Sequence, residues 1–169
     1  MLGSHAKVHV RGGKATDAKA LARIFKDSWL LAYRGIIPHL HLDKMIRQRT
    51  PEWWRDAMKG GDSTLVLEMA GTLAGYATLG SSRQRSVYQG EIYELYLDPV
   101  YQGLGLGEHL FEGCRHVLDM RKFNGLIVWA LIDNTAACNF YWRRGGRPIA
   151  SAFTRIGSER LEKVAFAWR

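Results

Sequence analysis

Short apolar runs alternate along this chain with segments whose apolar residues recur every three or four positions. "KVHVRGG" (7–13) reads as a short strand. After it, Ala20, Leu21, Ile24, Phe25, Ser28 and Trp29 recur at helical spacing, with Thr16 or Asp17 placed to cap the helix. "RGIIPHLHL" (34–42), interrupted by Pro38, reads as a loop. Thr50-Pro51 opens a second helix with proline at its first position, and Gly60-Gly61 closes it. "STLVLEMA" and "TLAGYATLG" read as strands around a turn at Gly71, and "GEIYELYLDP" as a strand stopped by Pro99. Leu106, Leu110, Phe111, Cys114, Val117 and Leu118 mark one face of a helix that Asn124-Gly125 breaks. "LIVWALI" (126–132) is the apolar run expected of a strand buried on both faces. Asp133-Asn134 begins a helix ending at Gly145-Gly146, and two strands, roughly 147–155 and 160–168, turn at Gly157.

The predicted order is βααβββαβαββ, an α/β chain with a mixed (α+β) sheet. The strand–helix–strand crossover from 91 to 132 requires one parallel pair in a mostly antiparallel sheet. No repeat or linker divides the 169 residues, so they are expected to form one domain. Met1–His5 ("MLGSH") reads in part as an expression scar and carries no weight.

Composition narrows the function classes. A hydrophobic content of 47% supports a globular fold. No apolar window is long enough for a membrane span, and no secretory signal is visible. The only cysteines, Cys114 and Cys138, fall on apolar helix faces and read as buried free thiols of a cytoplasmic protein, not as nucleophiles. No Cys/His spacing suggests a metal, and the His39–His41 pair lacks companions. The net charge of +8 favours an anionic ligand, but the charges are scattered, with no basic stripe interleaved with aromatics.

"YQGLGLGE" (101–108) sits between the strand at Pro99 and the following helix. A helix N-terminus carries unsatisfied N–H groups and partial positive charge, and glycine lets backbone approach a ligand closely. Gln102, Gly103, Leu104, Gly105, Leu106 and Gly107 can therefore offer a row of donors to a pyrophosphate. No Lys-Ser or Lys-Thr makes this a P-loop, and GxGxxG fails at Glu108 or Leu110.

What stands here, [RQ]-x-x-G-x-G after a strand, resembles the acyl-CoA motif of the GNAT superfamily of acetyl-CoA-dependent N-acetyltransferases. "LYLDPVYQGLGLGEHLF" (95–111) is similar to it throughout. A second family pattern reads Asn134-x-x-Ala137-x-x-Phe140-Tyr141-x-x-x-Gly145, with Gly146 where phenylalanine is expected. That departure is expected to weaken packing at the helix end.

The resemblance implies acetyl-CoA as co-substrate and a fold whose fourth and fifth strands splay apart around the pantetheine arm. It places that arm against Tyr96, Leu97, Asn134 and Ala137, with a bulge in the fourth strand freeing backbone near Tyr96 and Leu97. The Leu97 N–H would polarise the thioester carbonyl. Glu91, eleven residues before Gln102, has the spacing of a catalytic glutamate; Glu94 is the reserve base and a candidate acceptor contact. A carboxylate near pKa 4.3 faces an ammonium near 10.4, a gap of roughly 8 kcal/mol, so it would act through water or on the tetrahedral intermediate. Tyr141 matches the family's general acid, or is a core tyrosine. Asn134 caps its helix, contacts pantetheine, or does both. Trp29, Tyr33, Trp53 and Trp54 either wall an acceptor pocket or pack the first helices.

The expected activity is acetyl transfer to a primary amine of a small molecule or protein, by direct attack in a ternary complex. The rival readings are a non-catalytic acyl-CoA-binding module and an acetyltransferase acting on aminoacyl-tRNA. CoA's own negative charges account for the basic balance without nucleic acid, and a homodimer stays open.

Overall fold

The computed structural model describes residues 7–60 and 63–169, so Met1–His5 and the helix stop expected at Gly61 lie outside it. The chain runs β1 (Val8–Gly12), α1 (Ala18–Tyr33), α2 (His39–Gln48), α3 (Pro51–Met58), β2 (Thr64–Met69), β3 (Thr72–Ser81), β4 (Gly90–Leu97), α4 (Leu106–Met120), β5 (Leu126–Leu131), α5 (Thr135–Arg143), β6 (Arg147–Ile156) and β7 (Glu159–Trp168). The seven strands form one mixed sheet in the order β1-β2-β3-β4-β5-β7-β6. Among the described strands only β4 and β5 pair in parallel, as the crossover requires.

One helix was not expected: α2 occupies part of the segment read as a loop and the residues after it. Pro38 stands at its N-cap and no side chain caps it, so the local signal is weak. Leu42 is its one buried residue, packed with Tyr33 and Ile37. Asp17 also differs from expectation. It sits at the N-cap of α1 without capping it, and its carboxylate turns back to accept from the Lys14 N–H at 2.8 Å and from Arg11. The Thr50 cap of α3 forms as expected, its hydroxyl accepting from the Trp53 N–H at 3.1 Å.

The core lies in two layers. On one face of the sheet α4 brings Leu106, Leu110, Phe111, Cys114 and Leu118 against Leu67, Leu79, Ile92 and Val128, and α5 adds Tyr141. On the other, α1 and α3 bring Leu21, Ile24, Phe25 and Trp54 against Val66 and Tyr76. Gly146 does not leave a gap. A Cβ there would stand 2.5 Å from the Trp168 ring, so Trp168 fills the space where a phenylalanine was expected, and its Nε1 donates to the Arg144 carbonyl at 3.0 Å.

Two irregularities in the sheet shape the site. The β4–β5 ladder holds only from Gly90–Leu126 to Ile92–Val128, after which the strands part. Accordingly β5 is buried at Leu126–Val128 and only half-buried from Trp129 onward, not covered along its whole length. The second irregularity is a bulge: Leu79 pairs with Ile92 but Thr78 with Glu94, leaving Tyr93 as the extra residue. Side chains alternate along a strand, so a spacing of three would put Glu91 and Glu94 on opposite faces. The bulge cancels this. Their partners Gly80 and Thr78 are two apart, so both glutamates share the face of Tyr76.

Candidate active site

The site begins where β4 ends. Asp98 accepts from the Val100 N–H at 3.2 Å and from Arg23 at 2.9 Å, closing the strand into a tight turn. Gly103 and Gly105 follow in left-handed conformations, φ +79° and +75°, and no heavy atom lies within 4 Å of where a Cβ would stand on either. Gly105 is the N-cap of α4 and supplies no side-chain cap, so the first N–H groups of the helix remain open to a ligand.

Those groups line a cleft of about 650 Å³, walled by Gln102, Gly103, Gly105, Leu106 and Gly107 on one side and by Asn134, Ala137 and Tyr141 on the other. Leu104 is 58% exposed and lies outside the wall. The cleft also meets Arg143 and Arg144 at the end of α5. Arg144 stacks 4.7 Å from the centre of the Phe140 ring, and its buried Nε has no hydrogen-bond partner among the described residues. An anionic ligand would supply one. Left-handed glycines, open N–H groups and this guanidinium fit the pyrophosphate of CoA. The sequence showed the Arg143-Arg144 pair only as scattered charge.

Beyond the cleft, in the gap between β4 and β5, lies a void of about 30 Å³ bordered by Tyr33, Tyr93, Glu94 and Trp129. Cleft and void share Leu95, Tyr96, Asn134, Ala137 and Tyr141 as a common wall. The backbone in this wall is unpaired for a reason that the ladder supplies. The Asp98 N–H donates to the Ala74 carbonyl of β3 at 2.8 Å, so by alternation Leu97 and Leu95 turn their N–H and C=O toward the gap. The expected bulge near Tyr96 and Leu97 is therefore not what frees them: the bulge is at Tyr93, and the splay does the freeing.

Asn134 caps α5, its Oδ1 accepting from the Ala137 N–H at 3.2 Å. Tyr141 is buried, and burial raises its phenol, with Tyr33 and the two cysteines adding to the shift. No described side chain is hydrogen-bonded to its hydroxyl. The Tyr33 and Tyr96 hydroxyls are hydrogen-bonded to each other, and burial raises both.

Glu94 is held from outside the wall. Arg49, just after α2, donates Nη1 to Oε1 at 3.1 Å and Nη2 to Oε2 at 2.7 Å, and the Tyr76 hydroxyl donates to Oε1 at 2.9 Å. The guanidinium is itself sandwiched, 3.9 Å from the Trp53 ring centre and 4.5 Å from that of Phe25. Glu91 stands elsewhere. It is 2% exposed, borders neither cavity, and accepts from the Arg83 N–H and Nη2, each at 3.0 Å.

Of the aromatic residues considered for an acceptor pocket, only Tyr33 borders the void. Trp29 packs inward and donates to the Tyr76 hydroxyl at 3.2 Å, Trp54 is fully buried, and Trp53 covers Arg49. The face of α1 that meets the cleft is instead Ser28, Leu31 and Ala32, continued by Ile36. Both cysteines are free; Cys114 is buried, its thiol pushed up to about 12, whereas Cys138 is only half-buried. Among the described residues no cluster of His, Cys, Asp or Glu is built to hold a metal, and no helix is long and apolar enough to cross a membrane.

The arrangement has counterparts. The chain is 28% identical to the uncharacterized N-acetyltransferase YuaI of Bacillus subtilis over 163 residues, 95% of this chain and 92% of that one. In fold it is similar to the PaiA N-acetyltransferase of Thermoplasma acidophilum, solved in complex with coenzyme A, with a TM-score of 0.75 and 19% identity over 93% of this chain and 98% of that one. It is also similar to YncA of Salmonella typhimurium, solved with its cofactor acetyl-CoA, with a TM-score of 0.70 and 20% identity over 96% and 93%. Residues 20–146 match the acetyltransferase (GNAT) family, and over that span, well beyond half of its length, the chain belongs to that family of acyltransferases, whose donor is acetyl-CoA.

Proposed function

We propose that the protein transfers the acetyl group of acetyl-CoA to a primary amine of a small molecule or protein, by direct attack in a ternary complex. The observation that carries this reading is the common wall of cleft and void. A pantetheine arm leaving the glycine loop would lie against Leu95, Tyr96, Asn134, Ala137 and Tyr141 and bring its thioester to the void.

Within that arrangement the roles follow from position. The glycine loop and Arg144 would hold the pyrophosphate, and acetyl-CoA supplies the activated acyl group. The Leu97 N–H, turned into the gap, would stabilise the oxyanion. Glu94, rather than Glu91, is the carboxylate that meets the amine. Arg49 and Tyr76 occupy part of its hydrogen-bonding capacity and fix its direction, leaving lone pairs for a water or for the nitrogen as it loses its proton. Tyr141 donates to the departing sulfur. Its raised phenol is the weaker acid, but the burial that raises it would also raise a CoA thiolate lying against it. Donor and acceptor thus move together.

The test is turnover of acetyl-CoA across amines, polyamines, aminoglycosides and peptides, with acetylated product identified by mass. Release of CoA matched by an acetylated amine supports the proposal. Tight acetyl-CoA binding with no acetylated amine in any class would count against it and favour a binding module.

A further inference from the structure

The face of the sheet on which Glu94 lies carries two aromatic residues at the void, one on each splayed strand: Tyr93 on β4 and Trp129 on β5. Each is covered by a cation. The Arg83 guanidinium lies 4.3 Å from the Tyr93 ring centre, and the Lys163 ammonium 4.5 Å from that of Trp129. Lys163 pairs with Leu131, two residues from Trp129, so it shares that face.

The three cations that reach residues of the void differ in their partners. Arg49 is neutralised by Glu94 at 2.7 Å, and Arg83 by Glu91 at 3.0 Å. Lys163 has no carboxylate within ion-pair distance among the described residues. Its neighbour Glu162 is on the opposite face by alternation, paired with Phe153 of β6. Lys163 is thus held on the ring of Trp129, which borders the void, without a carboxylate of its own among the described residues. A polycationic acceptor would bring further positive charge toward it. A single negative charge on the acceptor would give Lys163 a partner, and one ammonium matches a carboxylate better than a doubly charged phosphate.

Resting on the acetyl-transfer reading above, we propose that the acceptor is an amino carboxylate, and that Lys163 receives the carboxylate while Glu94 faces the amine. Lys163 would then decide specificity without taking part in the chemistry.

The test compares free amino acids and short peptides, each with its C-terminal amide, and spermidine as a polycation. They are assayed with the full-length wild type, Lys163→Gln and Lys163→Arg. The expected result is a KM at least about fivefold lower for the carboxylate than for its amide in the wild type, the size of one modest ion pair. That ratio should vanish in Lys163→Gln, return in Lys163→Arg, and leave kcat little changed. An unaltered ratio in Lys163→Gln, or amides and spermidine used as well as carboxylates by the wild type, overturns the inference while acetyl transfer stands. If neither kind of acceptor turns over although acetyl-CoA binds, the inference falls, and the proposed function falls with it only where the wider screen of amines and aminoglycosides is blank too.

Discussion

Arg49 grips Glu94 with both arms of its guanidinium, at 3.1 and 2.7 Å, across 45 residues of sequence. The pair joins the end of α2 to the splayed part of β4, and the flanking Phe25 and Trp53 rings leave the guanidinium one direction in which to point. Lysine keeps the charge but not the fork. Arg49→Lys should therefore lower kcat/KM by about tenfold with a smaller loss of stability. Glu94→Gln should lower kcat by about 10²-fold, within the range for losing a positioned proton acceptor. Glu91→Gln should act mainly on folding, because it strands Arg83 and no cavity. If pH–rate profiles show Glu91→Gln as the more damaging change in a folded enzyme, the roles of the two glutamates are reversed.

The glycine loop makes a prediction that separates binding from folding. Gly105 is left-handed at φ +75° with open space around it, so valine there meets strain of about 1–2 kcal/mol rather than a clash within the protein. The side chain would stand where the pyrophosphate must approach. Gly105→Val should weaken acetyl-CoA binding at least about tenfold in calorimetry while thermal unfolding remains cooperative. Unchanged affinity in a folded variant would remove the loop from the binding site.

Gly146 and Trp168 should behave as one unit. Any side chain at 146 collides with the indole, so Gly146→Ala should cost about 1–3 kcal/mol. Trp168→Ala should cost about 3–5 kcal/mol, as large aromatic truncations do. Gly146→Phe combined with Trp168→Ala should be less damaging than the sum of the single changes. Additive losses in a double-mutant cycle would show that the two positions do not share one space.

Stability should also depend on Asp17. The Arg11 guanidinium, 2.8 Å away, holds its carboxyl below the usual value of 3.8, although burial opposes this. A depressed carboxyl contributes stability that is complete above its unfolded pKa and is lost as pH falls through the folded one. Asp17→Asn should therefore destabilise by about 1.5–3 kcal/mol in urea at pH 7, with the gap to wild type closing as pH falls below the ordinary carboxyl value of 3.8. A gap that stays constant with pH would contradict the ion-pair account.

What was legible in the sequence is what is local. The glycine loop, the Asn134 cap and the strand ending at Pro99 each depend on a few adjacent residues, and each stands where it was expected. α2 was missed because nothing local caps it and only Leu42 anchors it. The bulge at Tyr93 is a relation between two strands, invisible in either alone, yet it decides which glutamates share a face. Arg49 and Lys163 escaped notice for the same reason. Each is ordinary in its own segment and acquires a role only from residues that the fold brings to it.

The central claim is that the wall shared by cleft and void is where acyl transfer happens, and Tyr141 is the residue on that wall whose ring packs in the core while its hydroxyl has no described hydrogen-bond partner. Phenylalanine keeps the ring and its packing against Phe111, Phe140, Phe166 and Trp168, so removing the hydroxyl costs little packing and leaves the acetyl-CoA loop untouched. The decisive measurement is kcat and the KM for acetyl-CoA in Tyr141→Phe, with a turned-over amine and acetylated product followed directly. The account predicts a fall in kcat of about 10²-fold, with KM within about threefold of wild type. Wild-type kcat in a folded Tyr141→Phe enzyme would contradict it and make Tyr141 a packing residue.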